Sequence, residues 1–216
     1  MKRILTALFA LILSVSSFAQ DRVKVKIETE HGVMIAELYN ETPIHRDNFI
    51  KLIEKEFYNG TLFHRVIPNF MIQGGDPISK EENPSQQIGN GGPGYTLPAE
   101  FNPNLIHKKG ALAAARMGDA VNPKKESSGS QFYIVEGQVY DAQRIEMIEK
   151  RMGMSLTDTQ KEIYSTVGGT PHLDGSYTVF GEVVKGLEII SKISKLKRNK
   201  NNLPLEKAVM KVSIIQ

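Results

Sequence analysis

Cysteine and tryptophan are both absent from this chain of 216 residues. Without cysteine there is no disulfide framework, no thiol nucleophile and no lipid-anchored N-terminal cysteine, so stability has to come from the core. Familiar enzyme signatures are missing too. There is no Gly-x-Ser-x-Gly elbow, no G-x-x-x-x-G-K phosphate loop and no His-Glu-x-x-His metal pair. The five histidines, at 31, 45, 64, 107 and 172, have no metal-ligand spacing. A hydrolase would need a nucleophile paired with a histidine that an acid orients, and nothing in the spacing suggests one. Neither sign of charge dominates, with 27 Lys and Arg against 24 Asp and Glu. The longest apolar run is too short to span a bilayer comfortably.

That run lies at the start. Lys2 and Arg3 precede an almost wholly apolar stretch over 4–13, and Ser17-Phe18-Ala19 carries small residues where a signal peptidase reads. The reading is a signal peptide over 1–19, cleaved after Ala19, and an exported, periplasmic mature chain without a membrane anchor. Loss of Lys2 and Arg3 takes the formal charge from +3 to +1. A nearly neutral mature protein makes no electrostatic case for nucleic acid.

The remainder, 20–216, reads as one domain with ample residues for a core. Residues 23–28 alternate as Val-Lys-Val-Lys-Ile-Glu, the period of a half-buried strand. His31-Gly32 marks a turn, and 33–38 form the second strand of a hairpin. Thr42-Pro43 resembles a helix N-cap and first turn, with Ile44, Phe49, Leu52, Ile53 and Phe57 on one face and Asn59-Gly60 as the stop. Short strands follow at 61–67 and 70–73. A Gly-, Pro- and Asn-rich loop covers 74–104, and loops of that length are usually functional. Further strands fall at 112–116, 131–135, 178–184 and 208–215, with a polar turn segment at 118–129 and an amphipathic helix at 185–194. Residues 141–167 differ: Ile145, Ile148 and Met152 share one helix face. Thr157 to Gln160 fits a capping box for a second helix, with Ile163, Tyr164 and Val167 inward. This is an inserted helical hairpin. The pattern is mainly β, and a closed eight-stranded antiparallel barrel capped by two helices is the economical arrangement, since closure leaves no exposed edge.

One stretch carries unusual chemistry. Residues 63–76 read Phe-His-Arg-Val-Ile-Pro-Asn-Phe-Met-Ile-Gln-Gly-Gly-Asp. Burying His64, Arg65, Gln73 and Asp76 together in a core would carry large desolvation costs, so some must face water, each other or a ligand. This stretch resembles the signature of the cyclophilins, a family of peptidyl-prolyl isomerases. Ser128-Gly129-Ser130-Gln131-Phe132-Tyr133-Ile134 resembles their second motif. His172-Leu173-Asp174-Gly175 with Thr178-Val179-Phe180-Gly181 resembles the third. Gly110-Ala111-Leu112-Ala113-Ala114-Ala115-Arg116 resembles the strand between the first two. Four motifs in order, across most of 23–216, make a specific match.

The resemblance implies an eight-stranded barrel and cis/trans isomerisation of X-Pro bonds in extended or unfolded polypeptides, by a monomer with no cofactor and no metal. The chemistry fits a chain without a nucleophile. The amide barrier of ~18–20 kcal/mol comes from nitrogen lone-pair resonance. Uncatalysed X-Pro exchange takes roughly tens to hundreds of seconds, and reaching milliseconds needs about 7 kcal/mol off the barrier. A fixed cationic donor aimed at the nitrogen is worth more when the amide is twisted than when it is planar. Arginine suits this, being permanently protonated and rigidly forked.

By resemblance Arg65 is the catalytic residue, with Gln73 positioning it and bonding the substrate backbone. Phe70, Met71, Tyr133 and Leu173 form the proline pocket. Ala115 and Arg116 line the groove, Arg116 through its backbone, and Gln131 supports the wall. Tyr133 stands where phenylalanine is usual and brings a hydroxyl that needs a partner. Arg116 replaces a frequent asparagine, His172 a tryptophan and Tyr177 a histidine, all at the pocket's edge. His64 alternates away from Arg65 and reads as structural. The second reading is a peptide-binding chaperone or docking module on the same scaffold, supported by the insertion and by the polar segment 118–129.

Overall fold

In the computed structural model, which describes residues 21–82 and 87–215, the strongest sequence pattern becomes the first hairpin. Strand β1 (Lys24–Thr29) pairs antiparallel with β2 (Gly32–Leu38), in register from Lys24 opposite Glu37 to Thr29 opposite Gly32. Alternation places Val25, Ile27, Met34, Ala36 and Leu38 on one face, all fully buried. The turn is Glu30-His31, one residue earlier than the sequence suggests, because Gly32 already pairs in the ladder. A side chain at Gly32 would collide with Ile189.

The other main strands are β3 (Arg65–Ile67), β4 (Met71–Gly74), β6 (Ala111–Ala114), β8 (Phe132–Val135), β9 (Val179–Lys185) and β10 (Lys211–Ile215). Two-residue strands β5 (Thr96–Leu97) and β7 (Ser127–Ser128) pair separately. The large sheet runs β10-β1-β2-β9-β6-β8-β4-β3, antiparallel throughout.

The expected closed barrel is corrected here. The sheet curls into a half-barrel whose ladder ends at β3 and β10. Residues 61–64 and 208–210 were expected to extend those two strands. They instead leave the ladder and meet at a single bridge, Leu62 opposite Val209, with Phe63 N–H donating to the Ala208 carbonyl at 2.9 Å. The edge groups are thus satisfied by irregular backbone rather than by an eighth strand pair closing the sheet.

Helix α1 (Pro43–Glu54) packs on β10 and β9, and α4 (Leu187–Ser194) packs on β2, β3 and β4. Phe49, Leu52 and Ile53 from α1 join Ile189, Ile190 and Ile193 from α4 in the core inside the curl. Ile44 is exposed and His45 is the buried residue of that turn. Thr42 is the N-cap, but its side chain makes no capping bond. The helix stops at Glu54, before Asn59-Gly60.

The insertion forms helices α2 (Ala142–Met152) and α3 (Asp158–Thr166), and α3 opens with the expected capping box at Thr157 and Gln160. Ile145, Leu156 and Tyr164 bury themselves against Ile106 and Tyr140, whereas Met152 and Val167 are exposed. Among the described residues no helix is long and apolar enough to cross a membrane. The signal peptide expected over 1–19 falls outside the described residues.

Candidate active site

The curled sheet has two faces, and the register assigns them different tasks. Val66, Ile72, Ile134 and Leu112 lie in one cross-strand row and belong to the main core. The neighbouring row is Arg65, Gln73, Tyr133 and Ala113, facing the other way. On this outer face Met71, Ala111, Ala113, Ala115, Tyr133 and Val135 form a second apolar cluster, with Phe70, Leu173 and Tyr177 partly buried against it. The alanines of β6 matter because their small side chains leave a depression between larger rings.

That depression is a small pocket of about 90 Å³ lined by Arg65, Phe70, Met71, Gln73, Ala115, Arg116, Tyr133, Leu173 and Tyr177. Nine of the eleven residues expected at the site therefore converge. His172 and Gln131 do not line it. His172 stacks on Phe70, ring centroids 5.8 Å apart, and so backs the pocket. Gln131 lies behind Gln73 and in the wall of a wider adjoining groove, which shares Gln73, Ala115 and Arg116 with the pocket.

A hydrogen-bonded line fixes the arginine. Arg65 Nη1 donates to Gln73 Oε1 at 3.1 Å, and Gln73 Nε2 donates to Gln131 Oε1 at 3.1 Å. Gln131 Nε2 then donates to the Gly89 and Gly91 carbonyls at 2.9 and 2.7 Å. Those glycines belong to the long loop, which is tied down where it meets the site. The Asp76 carboxylate accepts from the backbone N–H groups of Ile78, Gly89 and Gly91. Among the described residues no carboxylate lies within ion-pair distance of the Arg65 guanidinium. Partial burial lowers its pKa, opposed by the Tyr177 phenol, and arginine stays protonated under such a shift.

Arg116 contributes more than backbone. Its guanidinium lies 4.5 Å from the Tyr177 ring centroid, donates to the Ser176 and Met117 carbonyls, and pairs with Asp119 at 2.6 Å. The sequence reading gave this side chain no task; in the fold it braces Tyr177 at the pocket rim.

The Tyr133 hydroxyl has the partner it needs. It lies 2.9 Å from Nε2 of His107, and the other ring nitrogen of His107 lies 2.8 Å from Asp174. Neither His107 nor Asp174, the latter named only as part of a motif, was given a role from sequence, although a tyrosine at a buried pocket position is a signal to look for such a partner. His64 is buried and faces Asp76, not the pocket. Among the described residues neither of its ring nitrogens finds a partner of good geometry, and burial pulls its pKa down to about 4 against the opposing influence of Asp76 and the Leu62 backbone.

Comparison with known proteins identifies the family. A family model described as cyclophilin type peptidyl-prolyl cis-trans isomerase/CLD matches residues 24–214. The chain belongs to the cyclophilin family. A Staphylococcus aureus protein named as a peptidyl-prolyl cis-trans isomerase is 33% identical over 88% of this chain and 90% of its own length. A longer Streptococcus pyogenes protein, named for both a phosphatase and a peptidyl-prolyl cis-trans isomerase, is 34% identical, and the match spans 37% of it. The crystal structure of a Cryptosporidium parvum cyclophilin type isomerase superimposes with a TM-score of 0.67 at 25% identity, covering 90% of this chain and 98% of that one. A second structure of that cyclophilin, determined in the presence of the dipeptide Ala-Pro, gives a TM-score of 0.66 at 25% identity, covering 89% and 99%.

Proposed function

We propose that this cyclophilin isomerises X-Pro bonds with Arg65 as its catalytic residue, acting on extended polypeptides of exported proteins. The observation that carries the reading is the Arg65–Gln73–Gln131 line at the rim of an apolar pocket. It presents a half-buried cation, without a carboxylate partner among the described residues, beside a space for a proline ring. Phe70, Met71, Tyr133 and Leu173 hold the ring, and the peptide continues along the adjoining groove past Ala115 and Arg116.

Chemically, the ground-state amide nitrogen has no available lone pair. Rotation pyramidalises it, and the guanidinium donates to it as that lone pair appears. Stabilisation is therefore concentrated in the twisted state, which lowers the barrier rather than merely tightening binding. Gln73 holds one edge of the guanidinium, so little reorganisation accompanies the step. No proton changes owner, in keeping with the absence of His64 from the pocket. The leader over 1–19 supports export, and a folding catalyst without energy input suits an envelope.

The test is exchange NMR on an Ala-Pro peptide with the wild type and Arg65→Ala. A strong acceleration that falls by two or more decades, about 2.7 kcal/mol, supports the reading. Weak exchange by both proteins with peptide binding retained would favour the docking-module reading instead.

A further inference from the structure

The floor of the pocket is wired to the helical insertion. The Tyr133 hydroxyl lies 2.9 Å from His107 Nε2. His107 Nδ1 lies 2.8 Å from Asp174 Oδ1, which also accepts the His107 backbone N–H at 2.8 Å. Asp174 Oδ2 accepts the hydroxyl of Tyr164, on α3, at 2.5 Å. Tyr133, His107 and Tyr164 are 5%, 0% and 0% exposed, so each group depends on the next for its hydrogen bond.

The donor inventory gives the chain one direction. A carboxylate only accepts, so His107 donates from Nδ1 and Tyr164 from its hydroxyl. In the neutral imidazole Nε2 of His107 is then the acceptor, and Tyr133 donates to it. Burial raises the phenol pKa of both tyrosines well above the usual range, so both keep the proton they donate. Networks of this kind in a low-dielectric interior respond as a unit, because losing one partner leaves the next buried group unsatisfied.

Backbone contacts reinforce the link. After α3 the chain passes Gly168-Gly169, and Thr170 N–H donates to the His107 carbonyl at 2.8 Å while Lys109 N–H donates to the Gly168 carbonyl at 3.0 Å. A Cβ at Gly169 would stand only 2.2 Å from the His107 carbonyl oxygen. The end of the insertion is thus clasped against the residue that holds Tyr133. Asp174 also follows directly on Leu173, which lines the pocket.

We propose that the insertion positions the proline pocket through this chain: Tyr164, Asp174 and His107 are positioning residues that set the Tyr133 ring, and with it the affinity for the proline side of the substrate. The proposal rests on the reading of the pocket as the proline site. A mobile Tyr133 would spoil the floor against which the ring packs, so the effect falls on binding more than on the Arg65-assisted rotation.

The experiment is a double-mutant cycle with Tyr133→Phe and Tyr164→Phe, each removing one hydroxyl. Affinity for an Ala-Pro peptide is read by NMR titration and exchange of the bound peptide on the same samples. Tyr164→Phe is expected to weaken binding about three- to tenfold, with a smaller loss in the bound exchange rate. In the Tyr133→Phe background it should add little, since the connection is already cut. Wild-type affinity in Tyr164→Phe, or effects that multiply independently, would overturn the proposal. A second readout needs no variant. Peptide addition to the wild type should shift the His107 ring nitrogens, although His107 does not line the pocket, and unmoved resonances would also overturn it. The two readings fail separately. If the wild type does not accelerate exchange, the isomerase assignment falls while peptide affinity still tests the coupling. If turnover depends on Arg65 but Tyr164→Phe binds as wild type, only the coupling falls.

Discussion

Oε2 of Glu100 lies 2.6 Å from Nδ1 of His45, 55 residues away in sequence. The same carboxylate accepts the Ile44 and His45 backbone N–H groups, so the N-terminus of α1 is capped by a loop residue while Thr42 makes no side-chain cap. The far ring nitrogen of His45 meets the Ser127 hydroxyl at 2.9 Å. Burial lowers the His45 pKa, with Glu100 opposing. Replacing Glu100 with Gln keeps the shape but removes the charge facing the helix N-terminus. We expect a loss of about 1–3 kcal/mol in denaturant unfolding. An unchanged midpoint and slope would show that the cap contributes nothing.

Gln131 joins the catalytic row to the long loop without lining the proline pocket. Gln131→Ala unhooks Gln73 on one side and the Gly89 and Gly91 carbonyls on the other. A fall in X-Pro exchange of roughly tenfold is expected, equivalent to about 1.4 kcal/mol of transition-state stabilisation. Full turnover in the folded variant would mean that Gln73 holds Arg65 unaided.

Arg116→Asn installs the residue frequent in the family and removes the brace over Tyr177. Loss of a cation–π contact of about 0.5–2 kcal/mol should weaken peptide affinity severalfold. The pure backbone role read from sequence predicts no change, so a peptide titration decides between them.

His64 makes stability depend on pH. Its pKa falls from 6.5 to about 4 on folding, so between those values the unfolded chain binds more protons than the native one. Stability is complete above pH 6.5 and declines as pH falls toward 4, by about 3 kcal/mol for this residue. His45 and His172 shift in the same direction and add to the slope. Denaturation midpoints across this range should fall with acid, and His64→Phe should flatten the curve. An equally steep curve in the variant would assign the slope elsewhere.

Much of this protein was legible in one dimension. Period-two alternation located the first hairpin, because a two-faced strand must sort its side chains. The Thr157–Gln160 capping box located α3, since its hydrogen bonds are local. The motifs around Arg65, Tyr133 and Leu173 carried the family and nearly the whole pocket lining. Tertiary structure decided the rest, and in each case the deciding contact joins residues far apart in sequence. The sheet stops short of closing because 61–64 and 208–210 bridge irregularly. Glu100, not Thr42, satisfies α1 because a distant carboxylate reaches the amides first. Arg116 braces Tyr177 because Ser176 lies beside it only after folding. The hydroxyl of Tyr133 announced a need for a partner, but only the packing of the insertion against Ile106 and His107 supplied the chain that ends at Tyr164. Local pattern determines which backbone a segment adopts; the satisfaction of buried polar groups is settled by whatever the fold brings within about 3 Å.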